Sequence, residues 1–315
     1  MFDNVLGQEK VKNLLINQIK NAKPSHAYIF MGQNKVGRKL TAFEFAKILN
    51  CLVNDWKTNP VGACGKCSNC VKISKNIHPD IHLIDFAKQL EVNDKVTEKT
   101  KEIVIGTIRN YLQKEISIKA REAVWKFFII DEAEKMNLPA FNALLKTLEE
   151  PPSNTIIILI ASHKETIPQT VVSRSQILFF SPLKQSEITQ YLIEKENYEP
   201  QKAAKAAYLS EGSLFIDSSL DENEKDRALN IFARLFEKNL YSCDILELSK
   251  SVKKEYGAPY IDLMIAKTKK DFRIRPSVFA NILKLLFEAR TMLLQNVNTN
   301  TVFDNLFFNI RKEIS

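Results

Sequence analysis

Four groups of residues in this 315-residue sequence have types and spacings that can do chemistry. The first is Gly32-Gln33-Asn34-Lys35-Val36-Gly37-Arg38-Lys39, whose glycines stand at the separation of a phosphate-binding loop. In a working loop, G-x-x-x-x-G-K-[ST], the lysine reaches the β- and γ-phosphates and the hydroxyl ligates Mg²⁺. Here the lysine position is Arg38 and the hydroxyl position is Lys39. An ammonium cannot ligate Mg²⁺, and a guanidinium is larger and differently shaped from the lysine head. Thr41 comes two residues late. These residues predict a nucleotide-loop scaffold without ATP hydrolysis and without a tight grip on nucleotide. The second group is Asp131-Glu132, at the end of the apolar run Phe127–Ile130. Such a pair can hold Mg²⁺ and polarise an attacking water. Beside Arg38 and Lys39, the two acids read as residual carboxylates that close a strand and order the helix after it.

The third group is Cys51, Cys64, Cys67 and Cys70, with C-x₁₂-C-x₂-C-x₂-C spacing. Two-residue gaps let a tight turn offer two thiolates to one metal, so zinc is preferred here over free thiols or disulfides. Four protein ligands leave no open position, so the site is expected to be structural. Cys243 stands apart in a helical pattern and is expected to be a small core residue, and His78 and His82 are expected to be structural. The fourth group is Arg174, in Val171-Val172-Ser173-Arg174-Ser175-Gln176. A short helix ending in an arginine, before the strand Ile177–Phe180, is well placed to reach across a subunit boundary.

The elements that must position these groups follow from hydrophobic periodicity. Helices are expected over Glu9–Asn21, Leu40–Leu49 and Ile103–Lys114, the last with Arg109 exposed. Phe141, Leu144, Leu145 and Leu148 form one face of another helix, which Pro151-Pro152 stop. Strands are expected at 25–31, at 81–85, over Val124–Ile130, and over Thr155–Ala161 at the sheet centre, ending at Ser162-His163 where a γ-phosphate could be sensed. Residues 86–101 read as a surface hairpin or loop. Helices follow over Gln185–Glu196 and Pro200–Leu209, then an acidic and basic linker at 219–228, then amphipathic helices. The net charge of +8 suits a polyanion such as nucleic acid, or simply a solvated surface. The amino terminus lacks an apolar core segment and no run approaches the ~20 residues of a bilayer span, which predicts a cytoplasmic protein with no membrane partner.

Several of these motifs together resemble the clamp-loader branch of the AAA+ ATPases, which serves bacterial DNA polymerase III. They are Val5-Leu6-Gly7-Gln8, His26-Ala27-Tyr28-Ile29-Phe30, the cysteine insertion, His78-Pro79-Asp80, Ile108-Arg109, Asp131-Glu132-Ala133-Glu134, the helix ending Leu148-Glu149-Glu150-Pro151-Pro152, and Ser173-Arg174-Ser175. The resemblance covers residues 1 to about 182 closely and the remainder by pattern. It implies an α/β P-loop-type (AAA+) parallel-sheet domain over 1–182 with a zinc module at about 51–70, a small helical lid over 183–220 and an all-α collar over 221–315. The departures select a non-hydrolysing member. Arg38 and Lys39 replace the working pair, and Gly212-Ser213 is followed by Leu214 where a hydrolysing subunit would carry arginine. Ser175 stands where the motif has cysteine. The implied role is a subunit with no enzyme activity of its own. It sits in a five-membered ring with gamma/tau and delta neighbours, helps load the sliding clamp on primed DNA, and offers Arg174 in trans to a neighbour's ATP. An ATP-hydrolysing gamma/tau-like subunit and an independent nucleic-acid-binding zinc protein are the alternatives.

Overall fold

Apolar runs without polar alternation need cover on both faces of a sheet. The computed structural model, which describes residues 1–54, 62–97, 100, 102–214, 222–237, 239–270, 276–294 and 297–314, shows that cover. The chain forms two compact units, residues 1–188 with 212–214, and residues 189–211 with 215–315. In the first, helix α1 (Glu9–Lys20) leads to strand β1 (Ala27–Met31), and the loop after β1 leads into α2 (Arg38–Asn50). Helix α3 (Ser68–Ser74), strand β2 (Ile81–Ile84) and helix α4 (Phe86–Val92) follow. Helices α5 (Ile105–Thr107) and α6 (Gln113–Ser117) flank a π-helical turn, Ile108–Leu112. Strand β3 (Lys126–Ile130), helix α7 (Leu138–Glu149), strand β4 (Thr155–Ala161), helix α8 (Gln169–Val172) and strand β5 (Gln176–Phe179) complete the sheet layer.

The five strands lie in the order β2-β3-β4-β1-β5, and every pairing is parallel. Thr155–Ala161 is the central strand, as its composition predicts, and is buried along its whole length. Side chains alternate between two cores. Tyr28, Phe30, Phe127, Ile129, Ile156 and Ile158 pack with α1, α2 and α3, while Ile29, Phe128, Ile130, Ile157 and Leu159 pack with the α5–α6 segment, α7 and α8. Each such side chain contributes roughly 1.5–3 kcal/mol on burial. Because the strands are parallel, their carboxyl ends share one edge, which carries the loop after β1 and Asp131 after β3.

The His78-Pro79-Asp80 turn locks the entry to β2 onto the entry to β3. Asp80 accepts backbone N–H groups of Arg121, Glu122 and Ala123 at 2.7–2.9 Å, and its own N–H donates to His78 Nδ1 at 3.1 Å. His82 stacks on Phe128 at 4.6 Å and meets the Tyr111 hydroxyl through Nδ1 at 2.9 Å. Both histidines therefore have the structural uses expected of them.

Three expectations need correction. Residues 86–92 form helix α4 and not a hairpin or loop, because Asp85 caps the helix by accepting the Lys88 N–H at 2.9 Å. Buried Gln89 ties it down, donating to the Glu102 carbonyl and accepting from Val104 N and Thr107 Oγ1. Residues 98, 99 and 101 lie outside the described residues. The proposed linker at 219–228 is, from residue 222, the start of helix α11 (Glu222–Arg234), whose Asp226 and Arg227 are exposed while Glu224, Ala228, Ile231 and Phe232 are buried. Residues 219–221 lie outside the description. Cys243 is exposed in the first turn of α12 (Ser242–Lys250), whose buried face is carried by Ile245, Leu248 and Ser249.

The second unit is helical among its described residues. It holds most of α9 (Gln185–Glu196), α10 (Pro200–Leu209), α11, α12, α13 (Gly257–Lys270), α14 (Pro276–Leu294) and α15 (Thr299–Ile314). Phe232, Tyr260, Leu286, Phe303 and Phe307 belong to its core. No described helix is long and apolar enough to cross a membrane.

Burial, reinforced by the Lys126 charge, pushes the His82 pKa down to about 4, below the ~6.5 of an exposed imidazole. Between those values the unfolded chain binds a proton that the folded chain refuses. Stability is therefore fully present above pH ~6.5 and falls as the pH drops toward 4, by about 3 kcal/mol from this group. Urea midpoints at pH 7.5 and 4.5 should differ more for the wild-type chain than for His82→Phe. Equal differences would contradict this assignment.

Candidate functional site: a phosphate loop filled by its own cations

The loop between β1 and α2 has the backbone of a phosphate cradle. Gly37 precedes α2 with φ +95°, a left-handed conformation that favours glycine. A Cβ at Gly32 would meet the Phe180 carbonyl oxygen at 2.6 Å, so only glycine lets the loop approach β5 this closely. Other parts of the first unit pin the loop. Gln8 donates to the Val36 and Ser181 carbonyls at 3.2 and 2.7 Å and accepts the Ser181 N–H. Ser213 Oγ donates to the Asn34 carbonyl at 2.8 Å, and the Leu214 N–H donates to the Lys35 carbonyl at 3.0 Å.

The cations that would face phosphate are engaged inside the protein. Arg38 is buried; its Nη1 donates to the Ala161 carbonyl at 2.5 Å and its Nη2 to Asn34 Oδ1 at 2.6 Å. Ser162 Oγ lies 3.4 Å from both guanidinium nitrogens and donates to Asn34 Oδ1. The guanidinium thus joins the loop to the end of β4. Lys39, one residue further along α2, places its Nζ 3.1 Å from Asp131 Oδ2 and 3.9 Å from Asp85 Oδ2. Glu132 has φ +50° and turns to solvent, pairing with Lys135 at 2.9 Å. Glu134, not Glu132, reaches the end of β4, where it accepts the Ser162 N–H at 3.3 Å. Thr41 is fully buried, and its hydroxyl donates to the Gly37 carbonyl at 2.8 Å. The structure places Gly32, Gly37, Arg38 and Lys39 on the loop after β1 and at the start of α2, and brings Lys39 to Asp131.

Arg174 follows α8. Its Nε and Nη2 contact one oxygen of Glu149, at 3.0 and 2.8 Å, and its Nη1 donates to the Thr170 carbonyl at 2.9 Å. The guanidinium is partly exposed. Ser175 Oγ is buried without a protein partner, a position where a thiol, a weaker hydrogen-bonding group, would be more at ease.

Cys51 caps the carboxyl end of α2, Cys64 and Cys67 lie in the connection to α3, and Cys70 lies within α3. Their four sulfurs lie within 4.8 Å of one another, close to the ~3.8 Å edge of a tetrahedron built from metal–sulfur bonds of about 2.3 Å. The N–H groups of Asn54 and Cys64 point at Cys51 Sγ, and that of Cys67 points at Cys64 Sγ, at 3.3–3.4 Å. Backbone N–H groups of Lys66 and Cys67 pull the Cys64 thiol down to about 6. These donors favour thiolates, so the set can hold a metal ion.

A family profile described as DNA polymerase III, delta subunit, matches residues 7–184, which include the phosphate loop, the cysteine set and Arg174. The chain belongs to this DNA polymerase III family. Among its relatives, the delta' subunit of Bacillus subtilis DNA polymerase III is 35% identical over 60% of this chain and 52% of its own. The tau/gamma subunit of Haemophilus influenzae is 31% identical over 78% of this chain and 35% of its own. The chain thus spans about a third to a half of the length of these curated relatives. A solved gamma subunit-related protein from Thermotoga maritima superposes with a TM-score of 0.49 at 14% identity, covering 98% of this chain and 100% of that one.

In this family member, Gln8, Asn34, Glu134 and Glu149 lie within motifs of the sequence, but their parts in the sites come only with the fold. Gln8 and Ser181 are 173 positions apart, and Asn34 and Ser162 are 128 apart, so no local spacing signals them.

The purified chain should carry one tightly bound metal ion, measured by elemental analysis. Cys67→Ser should lose it and speed hydrogen exchange in α3 while the sheet stays protected. Full metal content in that variant would contradict the assignment.

Proposed function

We propose that this chain is a non-hydrolysing, delta'-type subunit of a DNA polymerase III clamp loader. The observation that carries the reading is the pairing of Lys39 with Asp131, which puts an ammonium beside the carboxylate that would otherwise hold Mg²⁺. Arg38 supports it, because its guanidinium is spent on the Ala161 carbonyl and Asn34. The segment Gly212-Ser213-Leu214 presents backbone and hydroxyl groups to the loop and no arginine.

On this reading the chain is not an ATPase by itself. Its chemistry is the supply of Arg174, in trans, to ATP on a neighbouring gamma/tau subunit, where a guanidinium stabilises charge spreading over the transferred phosphoryl group. The delta subunit completes a five-membered ring that loads the clamp on primed DNA in the cytoplasm. The net charge of +8 favours contact with the DNA backbone. Residues 183–220 serve as the lid and 221–315 as the collar. Zinc is the ion we assign to Cys51, Cys64, Cys67 and Cys70, since an all-thiolate tetrahedral set suits it and leaves no open position for catalysis.

The second reading, an ATP-hydrolysing gamma/tau-like subunit, is favoured by the longer stretch of chain aligned with the tau/gamma relative. The two differ in which residue matters. In a clamp loader reconstituted with this chain, Arg174→Ala should leave assembly intact and slow single-turnover hydrolysis at the adjoining site by about 10³-fold. An unchanged rate at that site would contradict the proposed role.

A further inference from the structure

Arg174 in this chain is not presented to solvent as a free cation. A guanidinium has five N–H groups. Nε donates to Glu149 Oε1 at 3.0 Å, with Nη2 2.8 Å from the same oxygen, while Nη1 donates to the Thr170 carbonyl at 2.9 Å and to Ser173 Oγ at 3.2 Å. Those hydrogen bonds occupy Nε and Nη1, one nitrogen of each pair that could grip two phosphate oxygens. A guanidinium held this way cannot make a two-pronged contact with a phosphate until it gives up one of its present partners.

Glu149 is placed by the core and not by a flexible loop. It is the last residue of α7, whose Phe141, Leu144 and Leu148 are buried against the sheet, and Val171 of α8 belongs to the same core. The two elements that carry the acid and the base are therefore fixed with respect to each other. A carboxylate in the last turn of a helix opposes the helix dipole, so Glu149 gains nothing from its own helix. Its favourable partner is Arg174. The pair is also easily opened. The side chains are 36% and 50% exposed, and a solvated ion pair of this kind is weak. A nucleotide phosphate, with more charge and several acceptor oxygens, is the stronger partner for the same guanidinium.

We infer that Glu149 is a regulatory partner of Arg174, holding the guanidinium in a withdrawn position until the phosphates of a neighbour's nucleotide take it over. The inference rests on the trans-arginine reading above. Glu149 acts through Arg174 and touches no nucleotide, so it is a positioning residue that sets when the arginine is available. The contact makes hydrolysis at the adjoining site depend on how closely the two subunits approach. With loose approach Arg174 stays on Glu149, and with close approach the phosphate wins.

The test uses the reconstituted clamp loader containing this chain, with ATPase measured in the presence and absence of primed DNA. Glu149→Gln keeps the size of the side chain and removes its charge. It should raise the DNA-independent rate roughly two- to fivefold, the factor to which an exposed ion pair converts. It should raise the DNA-saturated rate less, because closure has already freed the arginine. Glu149→Ala should act in the same direction, and the thermal midpoint of either variant should stay near that of the wild type. The gain should vanish when Arg174→Ala is added. If Arg174→Ala slows the complex but Glu149→Gln leaves the DNA-independent rate unchanged or lowers it, the regulatory role of Glu149 is wrong and the trans-arginine reading survives. If Arg174→Ala has no effect, both fail together.

Discussion

The ammonium of Lys39 lies 3.1 Å from Asp131, and on the proposed reading that ion pair sets what the carboxyl edge of the sheet can do. Both partners are fixed from behind. Asp131 follows Ile130, which is in register with Ile84 of β2 and Leu159 of β4, and Lys39 is the second residue of a helix entered through Gly37. Mg²⁺ needs near-octahedral oxygen ligands and holds its water tightly. To bind here it would have to displace a covalently tethered cation that already neutralises the carboxylate, without a hydroxyl at position 39 to help. The neighbouring Arg38 adds to the effect by closing the loop onto the end of β4 through the Ala161 carbonyl. Charges that would serve a nucleotide in a working loop hold this one together.

On the proposed reading, the chain keeps the geometry of an ATP site for its architecture and supplies its reactive group from another place. Arg174 comes from the turn between α8 and β5, and its nearest acid is Glu149, at the end of α7. The four cysteines that could hold a metal ion are a third, separate feature, built where α2 ends and α3 begins. All three lie in the first compact unit and within the stretch matched to the DNA polymerase III family.

Much of this was legible in the sequence where it depends on local pattern. The unbroken apolar runs of β1, β3 and β4 announce buried parallel strands, and the spacing of Phe141, Leu144 and Leu148 announces α7. The glycine spacing marks the loop, and the cysteine spacing marks a set that the fold brings together. Features that depend on distant partners were hidden. Helix α4 is short and is held by Asp85 and by the buried amide of Gln89, so its own sequence reads as surface loop. The charges at the start of α11 mask its apolar face in the same way. Cys243 lies on the solvent side of its helix, which composition alone does not reveal. The partners of Asp131 and Arg174 required the fold, because Lys39 and Glu149 are ordinary charged residues until the chain brings them together.

On the proposed reading, the loop cations occupy the places of metal and phosphate. The most direct test is an equilibrium titration of ATP into the isolated chain, with and without Mg²⁺, followed by calorimetry or by a fluorescent nucleotide. Mg²⁺ is expected to add nothing to the affinity of the wild-type chain. Saturable, micromolar, Mg²⁺-dependent binding would contradict it.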